Sequence, residues 1–153
     1  MAEDFRIGKG TQIRFAVLDV ADRDRPADAD LDILKGVTTS DIQGGATDVT
    51  TVDYDSGAWE DGKMTRASWS MPISGNVKAS TEGEAAIRAL WEAWAAQKEV
   101  WVERLRPGDT HWRGGVCSIM GITEPVPADG IITYSLTLKG RGAVVSTAIA
   151  VTP

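Results

Sequence analysis

Ser80–Lys98, STEGEAAIRALWEAWAAQK, is the one stretch whose apolar residues recur at helical spacing. Ile87, Leu90, Trp91, Trp94 and Ala95 fall at steps of three and four and form one stripe, with Glu84, Arg88 and Glu92 off it. Thr81 with Glu84 fits a capping box, and Glu82 and Glu84 sit where the helix dipole favours negative charge. The pattern predicts a helix over about 80–98 with Ile87, Leu90, Trp91 and Trp94 as its packing residues. Such a helix needs a surface to cover, and everything around it reads as strand or loop, so only a β-sheet supplies one. The plain reading is a core helix on its own sheet; the sharper one is a helix that also meets a neighbouring subunit.

Working outward, Lys63–Lys78 alternates Ala67, Trp69, Met71 and Ile73 against Arg66, Ser68, Ser70 and Pro72, and Pro72 pushes that strand toward an edge or a bulge. Glu99–Leu105 (EVWVERL) re-enters the sheet directly after the helix. Beyond the RPGDT turn, Trp112–Thr123 reads as a strand with a bulge at Gly114–Gly115. Ile131–Lys139 is the most regular strand, with Ile132, Tyr134, Leu136 and Leu138 on one side and Thr133, Ser135 and Thr137 on the other. Ala143–Val151 makes a last strand. Before the helix, Thr11–Val20 is a strand with Ile13, Phe15 and Val17 on one face and Gln12, Arg14 and Ala16 on the other, and Thr47–Asp55 is a short one. Residues 1–10 form an arm, and 21–47 and 53–62 are loop excursions; the first is acidic, and its alternative reading is an arm ordered only against another chain. The result is a single mainly β domain over 1–153, an antiparallel β-sandwich or barrel with one flanking α-helix and a long acidic loop. The outer faces of 66–73 and 131–139 are small and hydroxylated, which suits either solvent or a wide aqueous channel.

Charge is unevenly spread. Residues 1–62 carry 14 Asp/Glu against 6 Lys/Arg, a balance of −8, and residues 63–153 carry 8 against 10, a balance of +2, giving the net −6. That argues against a protein gripping nucleic acid by neutralising phosphates. A single cysteine, Cys117, leaves no intrachain disulfide and no cysteine-cluster metal site. The charged start and the lack of a long apolar run predict a soluble protein made in a cytoplasm, without membrane association.

Chemistry finds little support. His111, the sole histidine, has no nucleophile motif to serve, and Cys117 sits in an apolar run as a core residue would. The Asp-rich stretch lacks the Gly and Glu of a calcium loop, and the glycines at 36–45 match no phosphate or dinucleotide motif. No enzyme activity, cofactor or metal is expected. Of the six tryptophans, Trp69, Trp91, Trp94 and Trp101 are expected to build the core, whereas Trp59 in a turn-rich stretch is expected to be exposed or interfacial.

A capped helix after the strand WSMPISGNVK (69–78), the strand EVWVERL, and GITEPVPADGIITYSLTLKGRGAV at 121–144 together resemble the major tail tube protein of long-tailed bacteriophages with non-contractile tails. The resemblance runs over 63–144, while in 1–62 only the layout agrees. It implies a structural virion protein of the tail, a β-sandwich that self-assembles into hexameric rings. The rings would stack into a tube whose inner sheets form a continuous barrel around the DNA ejection channel, with tail tip, tape measure and terminator proteins as further partners and the host bacterial cytoplasm as the place of synthesis. On these implications Arg66, Ser68, Ser70, Thr133, Ser135 and Thr137 are candidates for the channel wall. Asp22, Asp24, Asp28, Asp30, Leu31, Ile33 and Trp59 become candidates for contacts between subunits and rings. DNA would pass without tight binding, which suits the acidic balance, although Arg66 and Lys139 depart from a purely acidic wall. The alternative is a β-sandwich binding module for a carbohydrate or protein ligand, with Trp59 and Trp112 as its stacking surface.

Overall fold

A computed structural model describes residues 10–18, 24–51 and 61–149. Nine strands make one antiparallel sheet: β1 (Gln12–Val17), β2 (Asp32–Ile33), β3 (Val37–Ser40), β4 (Gln43–Thr51), β5 (Asp61–Asn76), β6 (Glu99–Leu105), β7 (His111–Thr123), β8 (Thr133–Gly140) and β9 (Val145–Ala148), with the helix α1 (Thr81–Ala95) between β5 and β6. The strand path is β2-β1-β6-β7-β8-β5-β3. β4 continues the pairing of β3 along β5, and β9 continues that of β8 along β7. β2 and β3 lie at opposite ends of this path yet are joined by three residues. The sheet is therefore rolled around its contents, with Leu34 donating to the Ile13 carbonyl and Asn76 to that of Gly36, but no ladder joins β2 to β3 and the barrel stays open.

Alternation fills the roll. Ile13, Phe15, Trp69, Met71, Ile73, Val100, Val102, Cys117, Tyr134, Leu136 and Leu138 point inward, and α1 adds Ala86, Ile87, Leu90 and Ala93. Burying Cys117 pushes its thiol pKa up to about 12, as it does the Tyr134 phenol, so the thiol is inert packing. Beyond the body of the sheet, Asp61–Trp69 of β5 pairs with β4 alone among the described residues, so β4 and β5 run on as a two-stranded ribbon.

Several expectations need correction. The 21–47 excursion contains β2, β3 and the start of β4: VTTS and QGGAT carry too little apolar weight to read as strands, yet β5 pairs with both, with one irregularity between Val37 and Thr39. β7 is bulged between Ile119 and Gly121, and Gly114–Gly115 is regular; a side chain at Gly114 would strike the Val102 carbonyl, so that glycine permits close strand approach. The helix cap is Ser80, whose hydroxyl accepts from the Gly83 amide at 3.1 Å, in place of a Thr81–Glu84 box. Of the expected helix stripe, Ile87 and Leu90 are buried and Trp91 half-buried, but Trp94 is 45% exposed and Ala95 is exposed. Ala86 and Ala93 take their place, because the buried arc is centred one residue earlier and lets the helix backbone approach the sheet. The most regular strand begins at Thr133, and Ile131 and Ile132 are exposed on the preceding loop.

Candidate functional site

The first candidate surface is the outer face of β5 and β8. Register places Ser70 opposite Lys139, Pro72 opposite Thr137, Ser74 opposite Ser135 and Asn76 opposite Thr133. β4 adds Gln43 opposite Ser70, Gly45 opposite Ser68 and Thr47 opposite Arg66. All six residues assigned to a channel wall from the sequence, Arg66, Ser68, Ser70, Thr133, Ser135 and Thr137, therefore share one face, opposite Met71, Ile73, Leu136 and Leu138. Arg66, Ser68, Ser135 and Thr137 are exposed, and Ser70 and Thr133 half-buried. A shallow depression of about 430 Å³ runs along it between Gln43, Ser68, Ser70, Met120, Thr137 and Lys139. Its charges are cationic: Arg66, Lys139 and, beside it, Arg141, whose Nε donates to Ser118 Oγ at 2.8 Å.

The second lies on the outer face of β1, β6 and β7, where the strands are apolar on both sides. Ala16, Leu18, Trp101 and Val116 form a second hydrophobic cluster there, closed by Leu31 from the acidic excursion. Within it Glu103 is 1% exposed. Arg14 gives it Nε at 3.1 Å and Nη2 at 2.6 Å, Arg25 gives Nε at 3.1 Å and Nη2 at 3.0 Å, and the Trp101 indole donates at 3.2 Å. The Arg14 guanidinium also lies 3.8 Å from the centre of the Trp112 ring. Arg25 reaches on to Asp28 at 2.8 Å, and that hydrogen bond holds the Asp28 carboxyl below its ordinary range. The arm is thus bolted to its own sheet through a buried carboxylate.

This placement divides the residues expected at subunit contacts. Leu31 is buried, and Asp28 is engaged with Arg25 and, at 3.6 Å, Arg14, so both serve the fold of their own chain. Asp24 and Asp30 are exposed, and Ile33 is 50% exposed. Asp22 and Trp59 lie outside the described residues. Trp112, proposed as half of a stacking platform, is buried beneath Arg14, which removes that surface from the binding-module alternative. Sequence reasoning missed Glu103, Arg14 and Arg25. The signal was present: Arg14 and Glu103 interrupt otherwise apolar strands and are direct cross-strand partners.

At one end of the roll Arg104 stands directly opposite Arg113, with Arg106 and His111 nearby, around a cleft of about 140 Å³. Burial, then repulsion from Arg106, lowers the Arg104 pKa, and its Nη1 donates to the Ser40 carbonyl at 3.2 Å. Asp109 is taken by Arg106 at 2.9 Å. His111 is exposed, with Nδ1 2.9 Å from Thr110 Oγ1. Among the described residues no cluster of three metal-ligating side chains occurs, and no helix is long and apolar enough to cross a membrane.

No protein-family model and no curated protein sequence matches the chain. Solved structures do. A chain of the virion of a native gene transfer agent particle matches with TM-score 0.65 at 20% identity, covering 94% of this chain and 100% of its own. A chain from the tail of an empty gene transfer agent particle, refined with C6 symmetry, matches with TM-score 0.64 at 21% identity and the same coverage. The SPP1 tail tube matches with TM-score 0.66 at 15% identity, over 94% of this chain and 80% of that one. Over 94% of its length the polypeptide shares the fold of the SPP1 tail tube and of the gene transfer agent tail chain.

Proposed function

We propose that this chain is a structural virion protein, a subunit of hexameric rings that stack into a phage-type tail tube through which DNA leaves the particle. The observation that carries this reading is a fold shared over 94% of the chain with components of such tails, one of them in a C6-symmetric tail. The hydroxyl face fits a conduit. Small Ser and Thr side chains over β5 and β8 stay wetted and leave a smooth wall that carries no bidentate fork for a base edge. The β4–β5 ribbon supports the same reading. Its backbone edge from Asp61 to Trp69 has no partner strand among the described residues, and a neighbour's strand would complete it as part of a continuous inner barrel. Tail tip, tape measure and terminator proteins would be its further partners.

Negative-stain microscopy of the purified protein at high concentration tests the proposal. Rings or tubes about six subunits around are the expected result. A persistent monomer under all conditions, with a tail-tip initiator present, would overturn it.

A further inference from the structure

Two of the exposed apolar surfaces carry opposite charge. One is a cleft of about 630 Å³ between the C-terminal end of α1 and the β7 bulge, lined by Trp94, Gln97, Lys98, Ile119, Met120 and Arg141. Trp94 is 45% and Met120 55% exposed, values unusual for the two largest apolar groups of one cleft. The indole is held: it stands edge-on to Trp91 with ring centres 5.8 Å apart. Arg141 is held as well, by Ser118 and by an Nη2–Met120 Sδ approach of 3.8 Å, so a fixed cation sits on the rim beside Lys98.

The other surface is the β7–β8 loop, Glu124–Ile132 (EPVPADGII). Val126 is 65% and Ile131 67% exposed, and Glu124 and Asp129 accompany them. Its stem is fastened, since Thr133 donates to the Pro125 carbonyl at 3.4 Å and Val77 to that of Ile132 at 2.9 Å. Pro125 and Pro127 limit the backbone further, so docking this loop would order little that is not already ordered.

We infer that the Glu124–Ile132 loop of one copy docks in the Trp94–Met120 cleft of the next. The cleft offers apolar surface with cations on its rim; the loop offers apolar side chains with carboxylates beside them. The two surfaces are different, so the contact taken head to tail repeats into a ring or a filament; made reciprocally it would stop at a dimer and give no ladder on cross-linking. The inference rests on the self-assembly reading and supplies it with a side-chain contact independent of backbone pairing. Trp94 and Met120 act as the anchors, and Arg141 and Lys98 set the orientation of the incoming loop.

Cysteine cross-linking tests it. The native Cys117 is fully buried and gives little background. With Met120→Cys and Val126→Cys in the same chain, oxidation of assembled particles should give a ladder of covalent oligomers. A mixture of the two single variants should give dimers, and neither single variant alone should. Ala95→Cys with Ile131→Cys is a second pair in case the first perturbs folding. Met120→Asp should raise the concentration needed for assembly by about tenfold or more while leaving the circular dichroism of the subunit unchanged. Particles that form from the paired variants without cross-links would overturn this contact and leave the self-assembly reading standing, and dimers from Met120→Cys alone would overturn it by showing a symmetric contact. A wild-type chain that never assembles, with both cysteine pairs silent, would overturn both.

Discussion

Replacing Glu103 by alanine tests what the buried network does. The carboxylate is 1% exposed and receives two hydrogen bonds from Arg14, two from Arg25 and one from Trp101, while the side chains of Arg14 and Arg25 are 15% and 22% exposed. Without it, two guanidiniums face each other with only the half-exposed Asp28 between them. A surface ion pair is worth about 0–1 kcal/mol, whereas removing one partner of a buried pair costs about 3–5 kcal/mol. The network belongs to the second class, so Glu103→Ala should lose about 3–5 kcal/mol, a fall in Tm of roughly 6–20 °C for a domain of this size. Urea unfolding followed by tryptophan fluorescence gives the number. The same variant should open the arm locally, exposing Leu31 to chymotrypsin before the sheet unfolds. Substituting all three members with apolar residues, Arg14→Met, Arg25→Met and Glu103→Leu, should recover most of the loss, because no uncompensated charge is then buried. A Glu103→Ala loss below about 1 kcal/mol, or a triple variant no better than the single one, would refute the assignment of the network as the arm's anchor.

Leu90→Ala should cost about 2–5 kcal/mol in denaturant unfolding, against less than about 1 kcal/mol for Trp94→Ala, which reverses the ranking that side-chain size suggests. Gly140→Ala would drive a methyl into the Trp69 ring, forcing the indole away from the Gly142 carbonyl to which it donates at 3.0 Å; a loss of about 1–3 kcal/mol with altered tryptophan emission is expected. Arg113→Gln should stabilise the isolated subunit by about 0.2–1 kcal/mol at low salt, less at high salt, since it removes a like charge directly opposite Arg104. Lowering the pH should loosen the arm only below about 4: the Asp28 pKa is depressed from 3.8, so its contribution is present above that value and disappears as the pH falls through the lower folded-state one, which the emission of Trp101 and Trp112 would follow.

The sequence made the half-buried elements legible and obscured those buried on both sides or on neither. Tyr134, Leu136 and Leu138 alternate with Thr133, Ser135 and Thr137, and the structure keeps that alternation without exception across β8. In β6, Val100 to Glu103 are all buried, so period-two reasoning had no polar face to find, and nothing in the strand's pattern marked the Glu103 carboxylate as the centre of a network. At the other extreme, Val37–Ser40 and Gln43–Thr47 bury almost nothing of their own and are strands only because β5 pairs with them. Helix geometry misled differently. Trp91 and Trp94 have the spacing of core residues, but Gly83, Ala86 and Ala93 bring the backbone close to the sheet and leave Trp94 outside. Size marked the wrong side of the arc.

One rolled sheet thus has two kinds of outer face, and the difference constrains how copies of the chain can meet. Over β1, β6 and β7 the outside is apolar, and the chain covers it with its own arm through Leu31, Arg25 and Glu103. Over β4, β5 and β8 the outside is mostly Ser, Thr, Gln and Gly with Pro72, Asn76, Arg66 and Lys139 among them, and needs no cover. Stable protein contacts concentrate in buried aromatic, aliphatic and arginine anchors; this face offers Arg66 alone, on the ribbon, with Met120 at its border. In the proposed assembly it is the face that stays in water, and association falls to the Asp61–Trp69 edge, which has no second partner strand among the described residues, and to the apolar groups at 94, 120, 126 and 131. In that proposed assembly, a subunit joined to its neighbours at that edge and at the two patches leaves its wetted face to line the ring. On that reading the hydroxyl wall is a consequence of where the anchors are missing, and a single aspartate or arginine placed on it should alter what passes through without altering what assembles.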